Sequence, residues 1–112
     1  MPEIVYETLI GNATPLPPGG RIESNTFDVN GARAVSVNVG IISHDAQVSW
    51  GIYFGPTTNN AFAPARQGSF DPHNSVSVHL PVFAPQMLVI VENHGPNATN
   101  CDGTLYFIRG VP

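Results

Sequence analysis

Three stretches of the chain alternate apolar residues with small or polar ones at a period of two. Val35, Val37, Val39 and Ile41 are separated by Ser36, Asn38 and Gly40. Val48, Trp50, Ile52 and Phe54 are separated by Ser49, Gly51 and Tyr53, and Val76, Val78, Leu80 and Val82 by Ser77, His79 and Pro81. Successive side chains of an extended strand point to opposite faces. Each apolar set is therefore predicted to line a core, and the residues between to face outward. Trp50 belongs to an inward set and is expected to be buried.

Glycine and proline exclude the competing helical reading. The longest windows free of both are Arg21–Asn30 and Ile41–Trp50, ten residues each. An average helix needs about 11–12 residues, and an interior Gly or Pro costs ~1 or ~3 kcal/mol. Strands are predicted over 3–10, 20–29, 33–42, 47–54, 61–69, 74–82, 86–92 and 103–109. Turn residues punctuate them at Pro17-Pro18-Gly19-Gly20, Asn30-Gly31, Gly55-Pro56, Asp71-Pro72, Gly95-Pro96-Asn97 and Asp102-Gly103. Asn30-Gly31 predicts a tight hairpin. Pro64 and Gly68 restrict 61–69 to the edge of a sheet. About eight short strands at this spacing imply an all-β, antiparallel two-sheet β-sandwich of jelly-roll type. The length, 112 residues, fits a single domain spanning 1–112.

One set of residues carries a family likeness. Phe27-Asp28-Val29-x-Gly31, the alternating valines, Leu88–Asn93, Ala98-Thr99 and Gly103-x-Leu105-Tyr106-x-x-Arg109 together resemble small microbial single-domain jelly-roll β-sandwich proteins. The resemblance covers residues 25–109 and consists of strand and turn signatures. It implies the fold and a non-enzymatic role, and carries no catalytic residue over to this chain.

Some strands break the half-buried rule. In Gln86–Glu92, Met87, Val89 and Val91 alternate with Leu88 and Ile90, so both sides are apolar. Leu105 and Phe107 likewise oppose Tyr106 and Ile108, and Val5 and Leu9 oppose Ile4, Tyr6 and Ile10. An outer face in water needs polar residues, so these strands are expected to be covered. The cover is either the chain's own loops or a neighbouring subunit. Val5, Leu9, Met87, Val89, Val91, Tyr106 and Ile108 are the candidate contact residues of a homo-oligomer.

Composition narrows the partners. Hydrophobic residues make up 42% and charged residues 11%, under half the usual ~25%. Lysine is absent, and four arginines face eight acids for a net charge of −4. Phosphate backbones and anionic lipids need clustered cations, so neither nucleic acid nor a membrane surface is expected. No apolar run approaches the ~20 residues that span a bilayer, so membrane insertion is not expected either. The start, Met1-Pro2-Glu3-Ile4-Val5-Tyr6-Glu7, lacks a basic leader and reads as cytoplasmic by default. Asn12-Ala13-Thr14 and Asn97-Ala98-Thr99 match a glycosylation sequon, a short match that chance explains in such a context. The single cysteine, Cys101, excludes an internal disulfide.

Candidate chemistry is sparse. There is no nucleophile elbow, P-loop, dinucleotide fingerprint, zinc-protease helix or Cys-x-x-Cys pair. Cys101 as a nucleophile needs a histidine to lower its pKa, and His94 is the nearest in sequence; an inert cysteine is the simpler reading. Antiparallel strands put the connections 43–46, 70–73 and 93–102 at one end of the sandwich. That rim gathers His44, Asp45, Asp71, His73, His94, Asn97, Cys101 and Asp102. His44, His73, His94 and Asp71 are the ligand types of a zinc site with hydrolytic potential, although none has a short ligand spacing. At the other end, Tyr53 is an outward aromatic followed by Thr57, Thr58, Asn59 and Asn60. A ring face stacks on sugar C–H groups while amides and hydroxyls fix orientation, so these five residues form a candidate carbohydrate site. The expectation that leads is a non-catalytic structural or interaction module without a cofactor, self-assembling through apolar sheet faces. A lectin-like module with a glycan partner and the loop-end metal site stand as its alternatives.

Overall fold

The computed structural model describes residues 3–42, 47–56, 61–70 and 75–109. Among them are nine strands and no helix: β1 (Glu3–Leu16), β2 (Arg21–Glu23), β3 (Phe27–Asp28), β4 (Ala32–Ile41), β5 (Val48–Gly55), β6 (Ala63–Ser69), β7 (Ser75–Pro81), β8 (Gln86–Asn93) and β9 (Thr99–Arg109). All pairings are antiparallel. One sheet has the order β1-β9-β4-β7, and the other β2-β8-β5-β6 with β3 also on β8. Counting β2 and β3 as one interrupted strand, this is the eight-position jelly-roll order. The sheet β1-β9-β4-β7 is called the first sheet below, and the other the second.

The predicted alternation positions the core. Val35, Val37 and Val39 of β4 face Ile52, Phe54, Met87, Val89 and Val91 of the second sheet across the interior, with Leu105 and Phe107 of β9 beside them, all at most 2% exposed. Burying each such side chain stabilises the fold by about 1.5–3 kcal/mol. Trp50 is buried at 7% exposure, and its Nε1 is the one buried side-chain polar atom among the described residues without a hydrogen-bond partner. Proline in β6 is tolerated because β6 is an edge strand, as its sequence requires.

Three local expectations are corrected. β1 runs on to Leu16, and β9 begins at Thr99, because the two continue pairing past a bulge between Ile10 and Thr14. Ala13 sits there at φ 59° and Thr14 Oγ1 donates to Gly11 O at 2.7 Å. The strand expected over 20–29 splits at Ser24, whose hydroxyl accepts from Val89 N at 2.9 Å and takes the place of a ladder partner. Asn30-Gly31 does not close a hairpin, since β3 and β4 belong to different sheets. Ala32 N bonds Val29 O at 3.1 Å with Gly31 at φ 88°. That is a type II turn, whose twist does not suit a two-residue hairpin. Arg109 fastens this turn: Nε donates to Asn30 O and Nη2 to Asp28 O, both at 2.9 Å, while Nη1 reaches Glu3 at 3.3 Å.

Candidate functional site

Register arranges the outer face of the first sheet into rows, three of which lead from the β1 start toward a fourth of Asp102, Gly40 and Ser75. Ile4 pairs with Ile108, and Ala34 lies in the β4 irregularity opposite, next to Pro81. The second row is Tyr6, Tyr106, Ser36 and His79, and the third is Thr8, Thr104, Asn38 and Ser77. The second and third rows hold no acid, lysine or arginine, whereas exposed Arg33 shares the β4 irregularity with Ala34 beside the first row. At the β1 end, Ile4 is 69% exposed, Tyr6 66%, Ile108 49% and Tyr106 37%, which makes one contiguous open apolar patch. The two tyrosine rings meet edge-on, their centroids 6.5 Å apart. Ser36 Oγ bonds His79 Nδ1 at 3.0 Å and Ser77 bonds Asn38, so the polar rows satisfy themselves.

The expected contact residues divide on this structure. Tyr106 and Ile108 are on the exposed patch, but Leu9, Met87, Val89 and Val91 are core residues at 7%, 0%, 0% and 0% exposure. Val5 is half-buried against that core. These five face inward and offer a neighbour nothing. On β1 the exposed apolar residues are instead their outward neighbours Ile4 and Tyr6. Glu3 and Glu7 are opposite Arg109 and Leu105 and so lie on the inner side of the edge strand β1. Charges turned inward on an edge oppose strand addition by another chain.

The outer face of the second sheet is built differently. Its rows are Glu23, Ile90, Gly51 and Gln67, then Arg21, Glu92, Ser49 and Ser69, then Leu88, Tyr53 and Pro64. Leu88 and Ile90 are each 8% exposed, so the second apolar alternation of β8 is covered by the chain itself. The Tyr53 ring lies across Gly51: a Cβ there would sit 2.8 Å from Cε1 and 3.2 Å from the hydroxyl. Gln67 Nε2 donates to that hydroxyl at 3.0 Å and fixes the ring. Beside it is a hollow of about 260 Å³ lined by Ser49, Gly51, Tyr53, Gln67, Ile90 and Glu92. Ser49 Oγ bonds His94 Nε2 at 2.9 Å, and Arg21 pairs with Glu23 at 3.5 Å in the open.

Of the remaining candidates, Thr57, Thr58, Asn59, Asn60, His44, Asp45, Asp71 and His73 lie outside the described residues. His94 is exposed and engaged with Ser49. Among the described residues no three His, Cys, Asp or Glu side chains gather as metal ligands. Cys101 is buried, and burial, then the Asp102 carboxylate, pushes its thiol from 9.0 up to about 11. It stays protonated at neutral pH and is a poor nucleophile. Sequence reasoning missed Asn93, which is 1% exposed. Its Nδ2 donates to Leu16 O and Asn97 O, and its Oδ1 accepts from Gly95 N, shaping the loop that carries His94. Asparagine two residues before Gly95-Pro96 was the available signal.

No family model and no curated protein matches this chain. Solved structures do resemble it. The Yersinia pseudotuberculosis-derived mitogen aligns with TM-score 0.56 at 10% identity, covering 96% of this chain and 86% of that one. The prophage-derived protein YomS aligns with TM-score 0.54 at 14% identity, covering 95% of each. A chain from naturally occurring empty particles of cowpea mosaic virus gives 0.53 at 9% identity over 99% of this chain and 88% of that one. The likeness to small jelly-roll sandwiches holds at the level of fold.

Proposed function

We propose that this protein is a non-catalytic interaction module that self-associates through the outer face of the first sheet. The observation that carries the reading is the patch of Ile4, Tyr6, Tyr106 and Ile108, contiguous by register and open to water. Exposed apolar surface of this kind marks contact sites. A second copy suits it because the second and third rows carry no formal charge, and the charges flanking them, Arg33 at the bulge and Asp102 one row beyond, are of opposite sign. Two such faces meet with less like-charge repulsion than a net charge of −4 imposes elsewhere. The buried, protonated Cys101 and a Ser49–His94 pair to which no described acid bonds supply no activated nucleophile. Sedimentation velocity from micromolar to millimolar protein tests this. A species heavier than the monomer is expected, lost in Tyr6→Ser/Ile108→Ser. A lone monomer boundary throughout the range rejects it.

A carbohydrate-binding role is the second reading. One observation favours it: Tyr53 is held by Gln67 beside an open polar hollow on the other sheet. Binding of the labelled protein to an array of glycans is the expected result, and a blank array at high loading counts against it.

A further inference from the structure

We infer that the hollow between Tyr53 and Glu92 is a subsite for one neutral pyranose ring, an inference that rests on the carbohydrate-binding reading. Sequence placed the sugar contacts on the loop after Tyr53; the described geometry draws the tyrosine the opposite way, across Gly51 and toward Gln67. A side chain at Gly51 would occupy the space that the ring now fills, so the ring and the hollow depend on that glycine.

The lining sets the ligand's chemistry. The Tyr53 ring provides apolar surface for the C–H face of a sugar, over a floor that includes the covered Ile90. Around them stand a carboxylate that only accepts (Glu92), an amide that does both (Gln67) and a hydroxyl (Ser49) backed by His94. Gln67 spends one N–H on Tyr53 and keeps a second N–H and its carbonyl oxygen. Mixed donors and acceptors match vicinal hydroxyls, each of which donates and accepts. No cation lines the hollow, and Glu92 repels an anion, so acidic sugars and phosphates are disfavoured. A volume of about 260 Å³ lies just below the ~300–1,000 Å³ of drug-sized sites, which fits a single ring and not an extended chain.

The test is an amide-shift titration of ¹⁵N-labelled protein with the methyl glycosides of glucose, galactose and mannose, up to tens of millimolar. At least one glycoside is expected to move the amides of Ser49, Gly51, Gln67 and Glu92. Gln67→Ala and Glu92→Gln are each expected to weaken it by ~10-fold or more while the rest of the spectrum stays in place. Shifts confined to other residues, unaffected by both substitutions, overturn the hollow and leave sugar binding standing. No shift with any of the three glycosides overturns the subsite; an array that nonetheless shows longer glycans bound keeps the broader reading, and a blank one removes it too.

Discussion

Ile90 and Ile108 are both isoleucines on the outward side of strands whose two alternations are apolar, yet Ile90 is 8% exposed and Ile108 49%. The difference comes from the rows they join. Ile90 lies between Glu23 and Gly51, and the Tyr53 ring fills the space that Gly51 leaves. Ile108 lies between Ile4 of an edge strand and the β4 bulge at Arg33 and Ala34, where the ladder is interrupted and no ring is laid across it as Tyr53 is across Gly51. Charge differs in placement too: Arg21, Glu23 and Glu92 stand within the rows of the second sheet, whereas on the first Arg33 at the β4 bulge and Asp102 flank two uncharged rows. A doubly apolar strand is thus two different objects: a covered floor where a neighbour is missing a side chain, and an open apolar surface where the ladder is interrupted.

Placing the same substitution on both faces breaks the comparison most sharply. Ile90→Asp puts a carboxylate where the chain has excluded water, and is expected to cost about 3 kcal/mol in urea unfolding. A cost under ~1 kcal/mol there would show that Tyr53 does not cover the site. Alkaline titration probes the first sheet from inside. Folded Cys101 holds its proton to about 11, while the unfolded thiol loses it near 9.0. Between those values the unfolded state binds fewer protons, so stability is fully present below pH 9 and falls by roughly 2 kcal/mol on the way to pH 11. Cys101→Ala is expected to flatten that slope, and an unchanged slope would assign it to other groups. Gly51→Ala should cost about 1 kcal/mol by lifting the Tyr53 ring, with slower-exchanging Ile90 amide protection lost in hydrogen exchange. Ile108→Asp is expected to change stability least, within ~0.5 kcal/mol, while abolishing the heavier species in sedimentation; strong destabilisation would mean that the patch is not open.

Much of the fold was legible because its signals are local. Val35–Ile41 and Val48–Phe54 alternate against polar or small residues, so only one face of each can be the core. Pro64 marked β6 as an edge for an equally local reason, the missing N–H. Where both alternations are apolar the choice of face is symmetric, and the sequence of β8 is as compatible with Leu88 inward as with Met87 inward. That symmetry sent Met87, Val89 and Val91 to a contact surface they do not form. The break at Ser24 and the crossover at Asn30-Gly31 were hidden for another reason: each depends on a partner far along the chain, Val89 and Arg109. Tyr53 was legible as an outward ring, but Ser49, Gln67 and Glu92 join it only through register across three strands.

Arg109 draws the start of β1, the turn at Asp28–Asn30 and the end of β9 to one point, and Ile4 and Ile108 are the next pair along that ladder. Anything tethered ahead of Glu3 or behind Arg109 therefore emerges on the doorstep of the apolar patch. A purification tag or fluorescent fusion at either terminus would act as a bumper between copies, and measurements of size should be made after its removal.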